Sequence, residues 1–230
     1  METLMVILSI DTSGQSGGIT LADAGENLFR VIESAPIAGG TFSAQLIPTL
    51  SALLGRHGFG AKDLDGFAAA SGPGSFTGLR VGLSAIKGLA EVLHKPIAVV
   101  SVLEALAASS DRNGKIAAVL DAGRKQAFVG IYNVANGEVF LDREELVSQA
   151  ELVAKLRDSG CEQMITSDPA IADVVSAEKI QVQFAKRSGS EEIARIGLRK
   201  ILLGDTISVD ALDANYLRRS DAEIFFKITR

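Results

Sequence analysis

The sequence has one cysteine and two histidines in 230 residues. Cys161 has no partner, so no intrachain disulfide can form, which fits a reducing compartment. A lone cysteine with no matched histidine reads as packing, not as a nucleophile. His57 and His94 each fall near the end of a predicted helix and read as surface or C-cap residues. His-Glu-x-x-His, Cys-x-x-Cys and His-x-x-x-His do not occur, so a zinc or iron site built on those patterns is excluded. The expectation is a chain with no catalytic residues and no metal.

Positive charge is scarce as well. The formal net charge is −5, and the basic runs at 124–125, 186–187 and 218–219 are no longer than pairs. A stand-alone nucleic-acid binder would carry a basic stripe or surplus. No run approaches the roughly 18 apolar residues of a membrane span. "METLMVILSIDTS" lacks the basic and long apolar regions of an export signal. These absences predict a cytoplasmic protein without a membrane anchor.

What is present is hydrophobic sequence, 47% of the chain, enough for one large or two small cores. Residues 4–10, 17–23 and 28–34 read as three strands of an antiparallel meander. Phe42, Leu46, Ile47, Leu50, Leu53 and Leu54 recur with helical spacing, with Pro48 bending that helix or lying near its start. Strands at 66–71 and 96–101 flank a helix ending near Leu93, and a short helix follows at 102–109. The alternation then restarts with a strand at 115–123, a hairpin through "ANG", a helix at 149–156, a strand at 162–167 and a helix at 191–203. Two similar α/β lobes with mixed sheets are predicted, residues 1–105 and 106–230. The tail from about 210 is expected to pack back on the first lobe.

Between the strand at 66–71 and its helix lies "SGPGSFTGLRVGLSAIKGLA", residues 71–90. A P-loop requires Gly-x-x-x-x-Gly-Lys-Ser/Thr, and here Leu79 follows Gly78. A dinucleotide fingerprint requires glycine where Thr77 stands, and Pro73 removes a backbone donor. The loop therefore reads as structural. Gly72 and Gly74 are expected to supply unusual backbone angles, Pro73 and Gly78 complete the structural loop, and Ser75 or Thr77 caps the helix. The helix is polar only at Arg80, Ser84, Lys87 and Glu91, a narrow stripe. Its apolar surplus has two readings, burial within the monomer or a helix-to-helix interface with the Leu46–Leu54 segment alongside. Asp11 with Thr12, and Asp121 with Gly123, end strands at matching places in the two lobes. They leave open a magnesium–nucleotide site for ATP or ADP, or a pair of capped turns.

The stretches "ILSIDTS", "GFAAASGPGSFTGLRVGLSAIKGLA", "VSVLEALA", "VLDAGRKQAFVGIY" and "ANYLRR" together resemble the bacterial TsaB (YeaZ) proteins. The resemblance implies the two-lobed fold shared with actin, Hsp70 and sugar kinases. It implies a non-catalytic relative of TsaD, which transfers a threonylcarbamoyl group to the adenosine beside the anticodon of tRNAs reading codons that begin with A. TsaD carries its metal on a His-x-x-x-His pair whose places fall here on Val102 and Leu106, which cannot ligate a metal. The implied partners are TsaD, the ATPase TsaE and a second copy of the chain, with tRNA met only through the complex and no cofactor. The implied interface lies on the two early helices, at Leu46, Leu50, Leu53, Leu79, Gly82, Leu83 and Ile86. On that basis Gly82→Leu is expected to weaken association more than it destabilises the monomer. Family members often begin the first helix with histidine; Phe42 stands there in this chain.

Overall fold

The structure is a computed structural model that describes residues 5–25, 28–176, 180–185, 189–215 and 217. The chain divides into two units, Met1–Ala105 with Ser188–Ala214, and Leu106–Arg187 with Asn215–Arg230.

In the first unit the run of β-formers at the start makes β1 (Met5–Asp11), paired antiparallel with β2 (Ser16–Gly25), which pairs antiparallel with β3 (Leu28–Ala38). Helix α1 (Phe42–Arg56) follows, then β4 (Gly66–Gly72), α2 (Phe76–Leu93), β5 (Ile97–Ser101) and α3 (Val102–Ala108). β4 and β5 join parallel to β1, giving the order β3-β2-β1-β4-β5. The second unit has β6 (Gly114–Gly123), β7 (Gln126–Ala135), β8 (Glu138–Ser148), α4 (Gln149–Asp158), β9 (Gln163–Thr166), α5 (Pro169–Val175) and β10 (Gln181–Phe184). Its sheet, β10-β9-β6-β7-β8, repeats the first topology: an antiparallel meander of three strands, then two strands added parallel to the first. This is the α/β fold with two mixed sheets that the alternation predicts. No helix among the described residues is long and apolar enough to cross a membrane.

Alternation along β1 sets the layers of the first unit, because successive side chains of a strand point to opposite faces. Leu8 and Ile10 join a core with Leu46, Leu50 and Leu53 of α1 and Leu79, Leu83 and Ile86 of α2. Ile7 faces the other way, into a smaller cluster with Ala194 and Leu198 of α6 (Ser190–Leu202). β4 is buried along its whole length, so it reads as an unbroken small apolar run, Gly-Phe-Ala-Ala-Ala-Ser-Gly.

The placement of α6 corrects the expected domain division. The helix lies past residue 106 in the chain but packs in the first unit, closing the second face of its sheet. Gly197 permits this: a Cβ there would overlap the Cβ of Ala68 on β4. Buried hydroxyls fix the helix start. Ser9 Oγ donates to the Ser190 carbonyl, and Thr20 Oγ1 meets Ser34 Oγ at 2.9 Å and Ser190 Oγ at 2.8 Å. Of the tail, Ile207 N donates to Ile97 O at 2.9 Å and Leu212 is buried in the first core. Tyr216 and residues 218–230, including most of the "ANYLRR" motif, lie outside the described residues.

Two elements escape the periodicity. α5 is a single apolar face, Ile171, Ala172 and Val175, too short to show a repeat. β10 is a four-residue edge strand with two glutamines, without the apolar run expected of a parallel strand.

Glu192, in the first turn of α6, is a carboxylate whose charged form is disfavoured by burial. Desolvation is the largest influence on it and raises its pKa, outweighing Arg195, whose Nε lies 3.5 Å away. With the folded pKa above the unfolded value, the folded state binds the extra proton. Stability is then lost as pH rises from the ordinary glutamate range through the folded pKa. Glu192→Gln should therefore be more stable than the parent at pH 8 and indistinguishable from it near pH 4. Thermal unfolding of both proteins across that range reads the difference, and equal curves at pH 8 would contradict the assignment.

Candidate docking surface

Three residues at the end of β1, Asp11, Thr12 and Ser13, form the floor beneath α2. All three are buried, and the Asp11 carboxylate accepts from Ser13 N at 2.8 Å. The glycine loop settles directly onto this turn. Ser75 N donates to the Ser13 carbonyl at 2.7 Å, and Thr12 Oγ1 donates to the Gly78 carbonyl at 2.7 Å. Ser75, not Thr77, caps the helix, its hydroxyl accepting from Gly78 N at 3.2 Å.

Close approach is what the glycines provide. A Cβ at Gly74 would overlap the Ser13 carbonyl, one at Gly78 the Thr12 carbonyl, and one at Gly82 the Thr12 hydroxyl. Gly72 serves differently, adopting φ +109, where L side chains are strained. The expectation of unusual angles at both Gly72 and Gly74 thus holds for Gly72 alone; Gly74 is there for space.

This geometry bears on the nucleotide reading. Asp11 and Thr12 are buried, with Thr12 beneath the start of α2. Asp121 is exposed, and its carboxylate accepts from Gly123 N at 3.0 Å while its own N donates to Asp168 Oδ2 at 2.8 Å. That is the geometry of a capped turn. Among the described residues no group of three His, Cys, Asp or Glu side chains is arranged to hold a metal ion. His57 and His94 are the C-cap residues of α1 and α2. Cys161 is buried, and desolvation raises its thiol pKa, the opposite of an activated nucleophile.

The seven residues named for an interface are placed elsewhere. Leu46, Leu50, Leu53, Leu79, Gly82, Leu83 and Ile86 are all buried, and each points into the first unit or onto its β1 turn. The apolar surplus of α2 is spent inside the monomer, which is the alternative the sequence left open. Phe42, standing where relatives often have histidine, is buried too, its ring against Gly17.

The opposite faces of the two helices carry the unusual surface. α1 and α2 contact each other. On α1, Ser43, Ala44, Gln45, Ile47, Pro48, Ser51, Ala52 and Gly55 are exposed, and none is charged. Ile47 is 55% exposed. On α2, Val81, Ala85 and Leu89 are only partly covered, and they run on into Gly88 and into Val92, which is 76% exposed. A helix facing water ordinarily carries charge on its outer side. In α1 the only charged residue is Arg56, in the last turn. There Arg56 and His57 hold the Glu33 carboxylate of β3, His57 Nε2 at 2.7 Å. The Arg56 guanidinium, then His57, keep that carboxylate below the usual range. The sequence signal for this face was available: fourteen consecutive residues, Phe42 to Gly55, without a charge in a chain that is 22% charged.

The family model for TsaD, tRNA N6-adenosine threonylcarbamoyltransferase, matches residues 36–186. The tRNA threonylcarbamoyladenosine biosynthesis protein TsaB of Bacillus subtilis is 37% identical over 134 residues, 58% of this chain and 57% of that protein. The TsaB of Haemophilus influenzae is 27% identical over 154 residues, 66% of this chain and 63% of that protein. These two matches span less than two thirds of either relative. The Escherichia coli TsaB is 24% identical over 234 residues, 95% of this chain and 96% of that protein. The solved structure of YeaZ from Pseudomonas aeruginosa shares the fold, with TM-score 0.76 and 20% identity over 92% of this chain and 99% of that one. By the glycine loop, the repeated sheet topology and these matches, the chain belongs to the TsaB (YeaZ) family.

Proposed function

We propose that this chain is a non-catalytic accessory subunit in the synthesis of threonylcarbamoyladenosine in tRNA. In this reading it binds the transferase TsaD through the outer faces of α1 and α2. It holds TsaD in a competent arrangement and helps present a docking surface to the ATPase TsaE, and tRNA is met only through the assembly. The uncharged outer face of α1 around Ile47, with the exposed Val92 on α2, carries the proposal. A surface of that kind is costly to leave in water and is the type that subunits cover. The names of the relatives support the pathway. Val102 and Leu106, at the places of the TsaD metal ligands, support the absence of chemistry, since both are buried aliphatic residues within the core. The same face would serve a second copy of the chain when TsaD is lacking.

Reconstitution is the direct test. The modification should form when this chain is mixed with its cognate TsaD, TsaE, tRNA and the threonylcarbamoyl donor, and fall to background when this chain alone is left out. Undiminished modification without it would overturn the proposal.

A further inference from the structure

Two hairpins of the second unit turn through the same backbone geometry with different residues. Gly123 pairs with Gln126 and Ala135 with Glu138, so β6–β7 and β7–β8 are each joined by a two-residue turn. In both turns the two central residues have positive φ: Asn136 at +52° and Gly137 at +79°, Arg124 at +54° and Lys125 at +59°. Positive φ at both places is the type I′ arrangement, for which Asn-Gly is a preferred pair. Glycine has no Cβ to clash there, and an asparagine side chain can hydrogen-bond locally. Arginine and lysine have neither advantage. The β7–β8 turn therefore uses residues suited to its backbone, and the β6–β7 turn holds two that are strained in it.

The strained turn is anchored. The Lys125 carbonyl accepts from Gln149 N, at the start of α4, at 2.9 Å. The Asp121 carboxylate, which accepts from Gly123 N, also accepts from Gln149 Nε2 at 3.5 Å. Arg124 and Lys125 are both exposed, so neither fills a core. A conformational cost kept where no core is filled points to a use for the side chains themselves. What they present is two adjacent cations on a backbone fixed at both ends. A guanidinium offers a planar fork of donors and an ammonium a compact charge, and both suit phosphate oxygens. The carboxylates of Asp121 and Asp168 stand close by, Asp168 Oδ2 accepting from Asp121 N at 2.8 Å. They weaken the attraction of the free chain for an anion. The pair is suited to one contact within a larger interface.

We propose that Arg124 and Lys125, at the β6–β7 turn, contact the phosphate backbone of tRNA once this chain is assembled with TsaD. The inference rests on the accessory role proposed above and names the surface of this chain that meets the RNA in that assembly. Contacts of this kind read no sequence; they fix where the RNA lies. Asn-Gly at the same two places would relieve the backbone and remove both cations, which is why the turn keeps its strained pair.

Binding of labelled, unmodified tRNA to the assembly of this chain with its cognate TsaD, measured from about 50 to 200 mM salt, tests this. Arg124→Asn with Lys125→Gly should raise the melting temperature of the chain by about 2–4 °C. It should also weaken tRNA binding roughly tenfold near 0.1 M salt and flatten the slope of log affinity against log salt by about 1.5, at about 0.7–0.9 per phosphate contact. Arg124→Gln with Lys125→Gln keeps the strain and removes the charge. It should weaken tRNA binding as much, without the gain in melting temperature. Unchanged affinity and slope in both double variants, with the TsaD assembly intact, would overturn the proposal and leave the accessory role standing. No gain in melting temperature for the Asn-Gly turn would overturn the strain on which the argument rests. Weaker association with TsaD or TsaE at unchanged tRNA affinity would overturn it in favour of a protein contact. Failure of the parent chain to assemble with TsaD would overturn the accessory role, and this contact with it.

Discussion

Gly78→Ala should lower the melting temperature of the isolated chain, although it adds only one methyl group to a helix. The added carbon would overlap the backbone carbonyl of Thr12, and a backbone atom cannot swing aside. The Gly78 carbonyl also accepts from Thr12 Oγ1, so separating helix from turn breaks a buried hydrogen bond. Overpacking of this kind costs about 1–3 kcal/mol, and each kcal/mol moves the melting point of a chain this size by roughly 2–4 °C. Gly88→Ala is the matched control in the same helix. Nothing lies within 4 Å of a Cβ there. The substitution should be neutral or stabilising by about 0.5–1 kcal/mol through helix propensity. Equal melting points for the two variants would mean that α2 does not sit on the β1 turn as described.

The same contact revises the expectation for Gly82. Its Cβ would meet the Thr12 hydroxyl and, at 3.1 Å, Ile10 Cγ2, so Gly82→Leu should destabilise the monomer first. Any loss of association would follow from that.

The contrast between Gly82 and Ile47 shows where the sequence was legible. Period and turn chemistry locate every strand but β10, the helices α1 and α2, and a cap at Ser75 or Thr77, because those signals are local. The repeated meander follows from two hairpins at matching places. Which face of α2 is covered is not local information. A helix with a narrow polar stripe fits burial against a sheet and burial against a partner equally well. The decision came from Thr12 and Ile10, some seventy residues away in the chain. α6 was misplaced for the same reason: its sheet-facing residues Ala194, Gly197 and Leu198 are ordinary for any amphipathic helix. Nothing in its own sequence names Ala68 as its neighbour. For the proposed docking face, the sequence named the same two helices but residues on their inner, buried faces. The better signal was the missing charge of α1, which does not depend on knowing the packing.

Ile47→Asp combined with Val92→Asp should sever the association with TsaD while leaving the monomer intact. Both side chains are more than half exposed, so a carboxylate at either place stays hydrated in the free chain, and stability should change by no more than about 0.5 kcal/mol each. In a complex the same carboxylates would be trapped against apolar surface, where a buried unpaired charge is strongly unfavourable. A central residue of such a contact is worth about 2 kcal/mol or more, which corresponds to at least roughly 30-fold in Kd. Titration calorimetry or mass in solution with the cognate TsaD reads this, and melting curves verify the fold. Two comparisons sharpen it. Leu50→Asp, at a position that the helical spacing named, should unfold the chain, because Leu50 is only 5% exposed. Phe184→Asp, an equally exposed apolar residue on β10, should leave the affinity unchanged. If Phe184→Asp weakens binding as much as the α1–α2 pair does, exposed apolar area in general drives association. The outer faces of α1 and α2 then have no special claim.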